Sequence, residues 1–251
     1  MAEKKRWIVI VIFAMAMAWV ESAVVLYLRT MINRLVPYQP DPLPMMTGLG
    51  EAEIVREAAT LVMLLTVGWL AGRTWRSRWA YSLLAFGVWD IFYYIFLLPL
   101  THWPSSLLDW DVLFLIPLPW WGPVITPVAI SLVLIIFGTL VSQFDQPDRP
   151  VWPGYLALGF FFGGAALALY TFMADALRVA PGGVEAIRDV LPIWFNWPLF
   201  GVALALMVAP VFDVSRQIWS PRLLSIRLLS FVELALSLPK GPPSDLEEAN
   251  E

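Results

Sequence analysis

The chain reads as an all-α polytopic membrane protein with six transmembrane helices, both termini cytoplasmic, and a C-terminal interfacial amphipathic helix. Three observations predict this. The 251 residues are 59% hydrophobic and only 14% charged, about half the charge of a soluble domain. Mean hydropathy is +0.71. The apolar residues gather into runs of roughly 20, the length that crosses about 30 Å of hydrocarbon. A soluble globule and a disordered chain are excluded on the same grounds. The organisation follows as residues 1–219, a six-helix transmembrane domain, and residues 220–251, a cytoplasmic interfacial helix and acidic tail.

The first span runs from Trp7 to Leu28 with Glu21 as its single charge, behind Lys4, Lys5 and Arg6. It is too long for the apolar core of a signal peptide and reads as a retained helix. The segment that follows includes PYQPDPLP, with too many prolines to be helical. The second span covers Glu53 to Gly72 and is closed by Arg73, Arg76 and Arg78. The third covers Trp79 to Leu100, carries Asp90 and leaves the helix at Pro99. A Pro/Trp-rich turn with His102, Asp109 and Asp111 leads to the fourth span, Val124 to Gln143. The fifth, Pro153 to Met173, holds Gly159 and Gly163 at the spacing of a close helix–helix contact. The sixth covers Pro192 to Val214, with Asn196 at its start, and Arg222 to Leu238 reads as a surface-lying helix.

Lys/Arg placement sets the orientation. One side carries Lys4, Lys5, Arg6, Arg73, Arg76, Arg78, Arg149, Arg216, Arg222, Arg227 and Lys240; the other carries Arg29, Arg34, Arg56, Arg178 and Arg188. The positive-inside rule places the richer side, with both termini, in the cytoplasm of a cell (inner or plasma) membrane. The loops near Pro40, Ser105 and Gly182 then lie outside. Most tryptophans fall near span ends, as an aromatic belt requires.

The acids carry the functional signal. A charge at the centre of a bilayer costs about 2.5–3.5 kcal/mol on insertion scales, so an acid there needs a reason. Glu21 lies toward the outer half of the first span, with Arg29 two turns beyond. Glu53, Arg56, Glu57 and Thr60 form one stripe at the outer end of the second span. Asp90 sits near the middle of the third, with Tyr93 and Tyr94 one turn outward. Turned inward together, Glu21, Arg29, Arg56, Glu57, Asp90, Tyr93, Tyr94, His102, Asp109 and Asp111 form a candidate outward-facing pocket.

Each has a plainer role open to it. Glu21 with Arg29 or Arg56 can be a structural ion pair, Asp90 can hydrogen-bond Tyr93, Tyr94 or another helix, Glu57 can serve its helix dipole, and Asp109, Asp111 and His102 can be interfacial loop residues.

Zero cysteines and one histidine argue against haem, iron–sulfur clusters and histidine-rich metal centres. No HExxH or related motif points to zinc or a di-iron site, and no other cofactor is indicated. No basic, aromatic-interleaved patch suggests nucleic acid; candidate partners are the lipid bilayer, a cation or lipid ligand, and other membrane proteins. Three functions stay open: a cation or proton transporter or channel, a membrane-embedded enzyme using paired carboxylates on a lipid or isoprenoid, and an accessory or assembly subunit of a membrane complex.

Overall fold

A computed structural model describes residues 2–39 and 49–219. The expected interfacial helix and acidic tail of residues 220–251 lie outside the described residues, as does most of the proline-rich segment after Gln39. Helix α1 spans Ala2–Met31, α2 Leu49–Ala71, α3 Trp75–Thr101, α4 Ile125–Phe144 and α5 Tyr155–Val179. A short α6, Gly183–Asp189, precedes α7, Trp197–Met207, and α8, Ala209–Trp219. Among the described residues, six stretches are long and apolar enough to cross a membrane, the sixth being α7 and α8 together. Their outward faces are apolar, with Val9, Val20, Val55, Val62 and Leu70 all exposed, as lipid-facing surfaces require.

Helices α1 and α3 extend past both expected ends, whereas α5 begins at Tyr155 and the sixth span at Trp197, later than expected, because the prolines before them stay outside the helix. Thr74 caps α3 in a capping box with Ser77, so this helix begins at Trp75, before the apolar run. It also continues through Pro99 to Thr101 and is closed by His102, whose φ of 56° is left-handed. A proline missing one amide bond costs little where the helix ends two residues later. The sixth span is interrupted at Val208, because Pro210 has no N–H to continue the ladder; Val211 bonds back to Val208 instead.

One element departs from a purely helical fold. The expected Pro/Trp-rich turn contains an antiparallel hairpin, β1 (Trp110–Phe114) and β2 (Trp120–Pro123). Trp110 pairs with Pro123, Asp111 with Gly122, Val112 with Trp121 and Phe114 with Trp120, with an irregularity between Val112 and Phe114. Valine, phenylalanine and tryptophan favour strands, but the strands are five and four residues long, too short to show a period against the prolines between them.

Two groups of helices share the core. Ala14, Ala18, Leu64, Tyr81, Leu84 and Ala85 bury α1, α2 and α3 against one another. Ala168, Phe172, Phe195, Phe200, Ala203 and Met207 join α5 to α7 and the segment before it. Helix α4 packs along α3, closely enough that a Cβ on Gly138 would meet the Ala80 carbonyl oxygen at 2.5 Å.

The expected contact at Gly159 and Gly163 is not made among the described residues: a Cβ on either would meet none of their atoms within 4 Å. The close approach falls one residue on. A Cβ on Gly164 would lie 2.6 Å from the Ala203 carbonyl oxygen and 2.9 Å from Met207. The apolar face of α5 that meets α7 carries Gly164, Ala168 and Phe172, and Gly159 and Gly163 point away from it.

Candidate functional site: an acidic cavity under the hairpin

The C-terminal ends of α1 and α3, the N-terminal end of α2 and strand β1 converge at one end of the bundle. They enclose a cavity of about 150 Å³, room for roughly five waters at about 30 Å³ each. Glu21, Arg29, Arg56, Glu57, Asp90, Tyr93, Tyr94 and Asp111 line it, together with Arg34, Glu53, Thr60 and Trp89. His102 and Asp109 stand apart. His102 closes α3, and the Asp109 carboxylate accepts from the backbone of Ser105 and Ser106 and the Ser105 hydroxyl. Sequence order puts both beside the cavity residues, but the left-handed turn and the Asp109-centred loop carry their side chains away from it.

Each carboxylate is held differently. On α2, Arg56 bridges two of them: it donates to Glu53, three residues back, and forms an ion pair with Glu21 across the helix interface. Thr60 Oγ1 also donates to Glu21 at 3.3 Å. Glu57 points at the hairpin, and both its oxygens accept from the Leu115 backbone N–H, at 3.2 and 3.0 Å. The one stripe of α2 therefore serves α1 through Arg56 and Thr60, and the hairpin through Glu57.

Asp111 lies on β1, at 1% exposure. Arg29 donates to it at 3.2 Å and the Tyr94 hydroxyl at 3.2 Å. Burial pushes its carboxyl up to about 6, against the pull of Arg29, Tyr94 and the Val112 N–H. Arg29 thus pairs with the hairpin, and Glu21 takes Arg56 as its cation.

Asp90 differs from the rest. It is 7% exposed in the middle of α3, and its side-chain hydrogen bond comes from Ser131 of α4, at 2.8 Å. Neither Tyr93 nor Tyr94 bonds it. No lysine or arginine among the described residues comes within ion-pair reach. The Ser131 bond depends on close packing: a Cβ on Gly87, one turn before Asp90, would sit 2.6 Å from the Ser131 carbonyl oxygen. Glycine there lets α3 and α4 approach until the hydroxyl reaches the acid.

The neighbouring Trp89 ring stacks with Tyr93 at 6.3 Å between centroids. Its buried indole N–H has no hydrogen-bond partner among the described residues. A buried donor of this kind is normally satisfied by water or a ligand oxygen.

Sequence reasoning did not assign Ser131, Trp89 or Arg34 to the site. Ser131 carried a signal, as a hydroxyl within a run of aliphatic residues opposite a buried acid. Arg34 carried none, because its position depends on the turn after α1, where its guanidinium donates to the carbonyls of Pro37 and Gln39.

Among the described residues, no group of three or more histidines, cysteines and acids is spaced to hold a metal ion. No family model, no curated protein and no solved structure matches this chain.

Proposed function

We propose that the chain is a membrane transport protein that passes protons, or a small cation with its water, by way of the acidic cavity, and that Asp90 is the group whose charge changes in the cycle. One observation carries this reading. Glu21, Glu53 and Asp111 have arginine partners and Glu57 has a backbone N–H, whereas Asp90 has a hydroxyl. A buried carboxylate without a cation is costly in its charged form, so it serves as a place where a proton or cation binds and leaves. Trp89, which lines the same cavity with a buried N–H that no described residue satisfies, favours a hydrated path. That no three acids among the described residues are spaced to hold a metal ion favours the proton over a directly ligated metal.

Orientation is part of this proposal. The cationic end of the bundle, with Lys4, Lys5 and Arg73, faces the cytoplasm, and the cavity opens to the other side. Ser105 and Asp148 are exposed at opposite ends. Cysteines replacing them, one at a time, in this cysteine-free chain should label from opposite faces of intact cells, Ser105→Cys from outside; labelling of Asp148→Cys from outside would reverse the assignment.

A lipid-processing enzyme is less well supported, because the large apolar cavity in the structure shares no lining residue with the acidic one. The test is proton flux into liposomes containing purified protein and a trapped pH-sensitive dye, under an imposed potential. Wild type should acidify the lumen, and folded Asp90→Asn should be slower by about tenfold or more, the equivalent of about 1.4 kcal/mol on the barrier. Equal rates for wild type, Asp90→Asn and empty liposomes would end the proposal.

A further inference from the structure

The second cavity lies toward the opposite end of the bundle, where α4 and α5 diverge. Helix α4 packs on α3 and α8, and α5 packs on α7 and α8. A space of about 690 Å³ remains between them, within the roughly 300–1,000 Å³ of ligand-sized pockets. Leu134 and Phe137 of α4 form one wall, Leu158 and Phe161 of α5 the other, and Trp79 and Val211 close the back. Its polar edge is already engaged: the Gly154 N–H donates to Asp213 at 2.7 Å, and Gln217 bonds the Trp152 backbone. A space of this size lined by apolar groups does not hold water, and protein interiors do not leave such volumes unfilled.

We infer that this cavity is a binding site for one acyl chain of a membrane phospholipid, with its phosphate at the cationic end of the bundle. Three observations select this occupant. The cavity is a slot between two membrane-length helices, so it is continuous with the hydrocarbon around the spans. The walls formed by Leu134, Phe137, Leu158 and Phe161 have no polar side-chain atom that would single out a functionalised ligand. Its mouth carries the indoles of Trp75 and Trp152, which pack edge to face at 4.7 Å, on the end that bears the exposed cations Lys4, Lys5, Arg73 and Arg216. Indoles favour the headgroup level, and the cations complement a lipid phosphate. The chain in the slot wedges the α5–α7 pair apart from the α3–α4 pair and fixes their spacing.

The probe is a phosphatidylglycerol with a photoactivatable diazirine midway along one acyl chain, mixed into liposomes holding the full chain. After illumination, adducts are mapped by mass spectrometry of peptides. Adducts should concentrate on Leu134, Phe137, Leu158 and Phe161, about fivefold or more above the exposed residues Val9 and Val62, a preference of about 1 kcal/mol. Leu158→Trp fills the slot and should remove that excess, whereas Leu156→Trp, on the exposed face of α5, should leave it intact. Should Leu158→Trp not fold, the wild-type map alone decides. Even labelling over all lipid-facing residues would reduce the slot to ordinary bilayer contact and overturn the inference. So would displacement of the adducts by a polyisoprenoid alcohol but not by unlabelled phosphatidylglycerol. Crosslinks to a second copy that shield the slot would also overturn it.

Discussion

Arg29 of α1 donates to Asp111 of β1 at 3.2 Å, and its guanidinium also lies 4.4 Å from the centroid of the Trp103 ring. Both ionic partners are buried, with side chains 9% and 2% exposed. The hairpin is thereby fastened over the acidic cavity by a charge pair from the first helix and by Glu57 from the second.

Removing one member of a buried pair leaves the other charge uncompensated and typically costs about 3–5 kcal/mol. Arg29→Ala should therefore lower the melting temperature in detergent markedly. Arg29→Lys should recover only part of it, because a lysine lacks the planar face that lies on Trp103. Arg29→Met combined with Asp111→Leu should be more stable than Arg29→Ala. A double variant no better than Arg29→Ala would show that the pair does not hold the hairpin.

The Asp111 carboxyl should give stability a pH dependence of definite sign. Its value rises from 3.8 to about 6 on folding, chiefly through burial, so the folded protein favours its protonated form. The stability it contributes is full below about 4 and is lost as pH rises through about 6. The wild-type advantage over Asp111→Asn in melting temperature should be largest near the acid end of that window and shrink toward neutrality. A gap that widens with rising pH would contradict this assignment.

Two adjacent glycines of α5 should respond oppositely. Gly164→Val places methyl groups against the Ala203 carbonyl, where a Cβ already lies at 2.6 Å, and overpacking of this kind costs about 1–3 kcal/mol. Gly163→Ala meets nothing within 4 Å and should be neutral or gain up to about 1 kcal/mol of helix propensity. Thermal unfolding of the two variants beside wild type checks both.

The six spans were legible because hydrocarbon thickness imposes a length and a composition that persist through each run. Helical face and distance along each helix were legible too, which is why the sequence groups Glu21, Glu57 and Asp90, three residues that line one cavity. Pairing was not. Which arginine answers Glu21, and that Arg29 reaches forward 82 residues to Asp111, depend on how the hairpin folds back. That hairpin was hidden because its strands are short and flanked by prolines. Ser131 entered the site through the close approach at Gly87, a property of the α3–α4 interface that no single helix displays. Gly159 and Gly163 show the reverse error: the spacing is real, but the burial of Ala157, Ala168 and Phe172 selects a neighbouring face.

Whether the Asp90 carboxyl exchanges its proton with solvent is the question on which the account turns. Infrared difference spectra of the protein in lipid, recorded while the surrounding buffer is titrated, report the carbonyl stretch of a protonated carboxyl directly. Beside the band of Asp111, wild type should show a second protonated-carboxyl band that comes and goes with pH, is missing from Asp90→Asn, and shifts in frequency in Ser131→Ala as the hydrogen bond from α4 is lost. An identical set of titrating bands in wild type and Asp90→Asn would contradict the account and leave Asp90 as a fixed hydrogen-bonding link between α3 and α4.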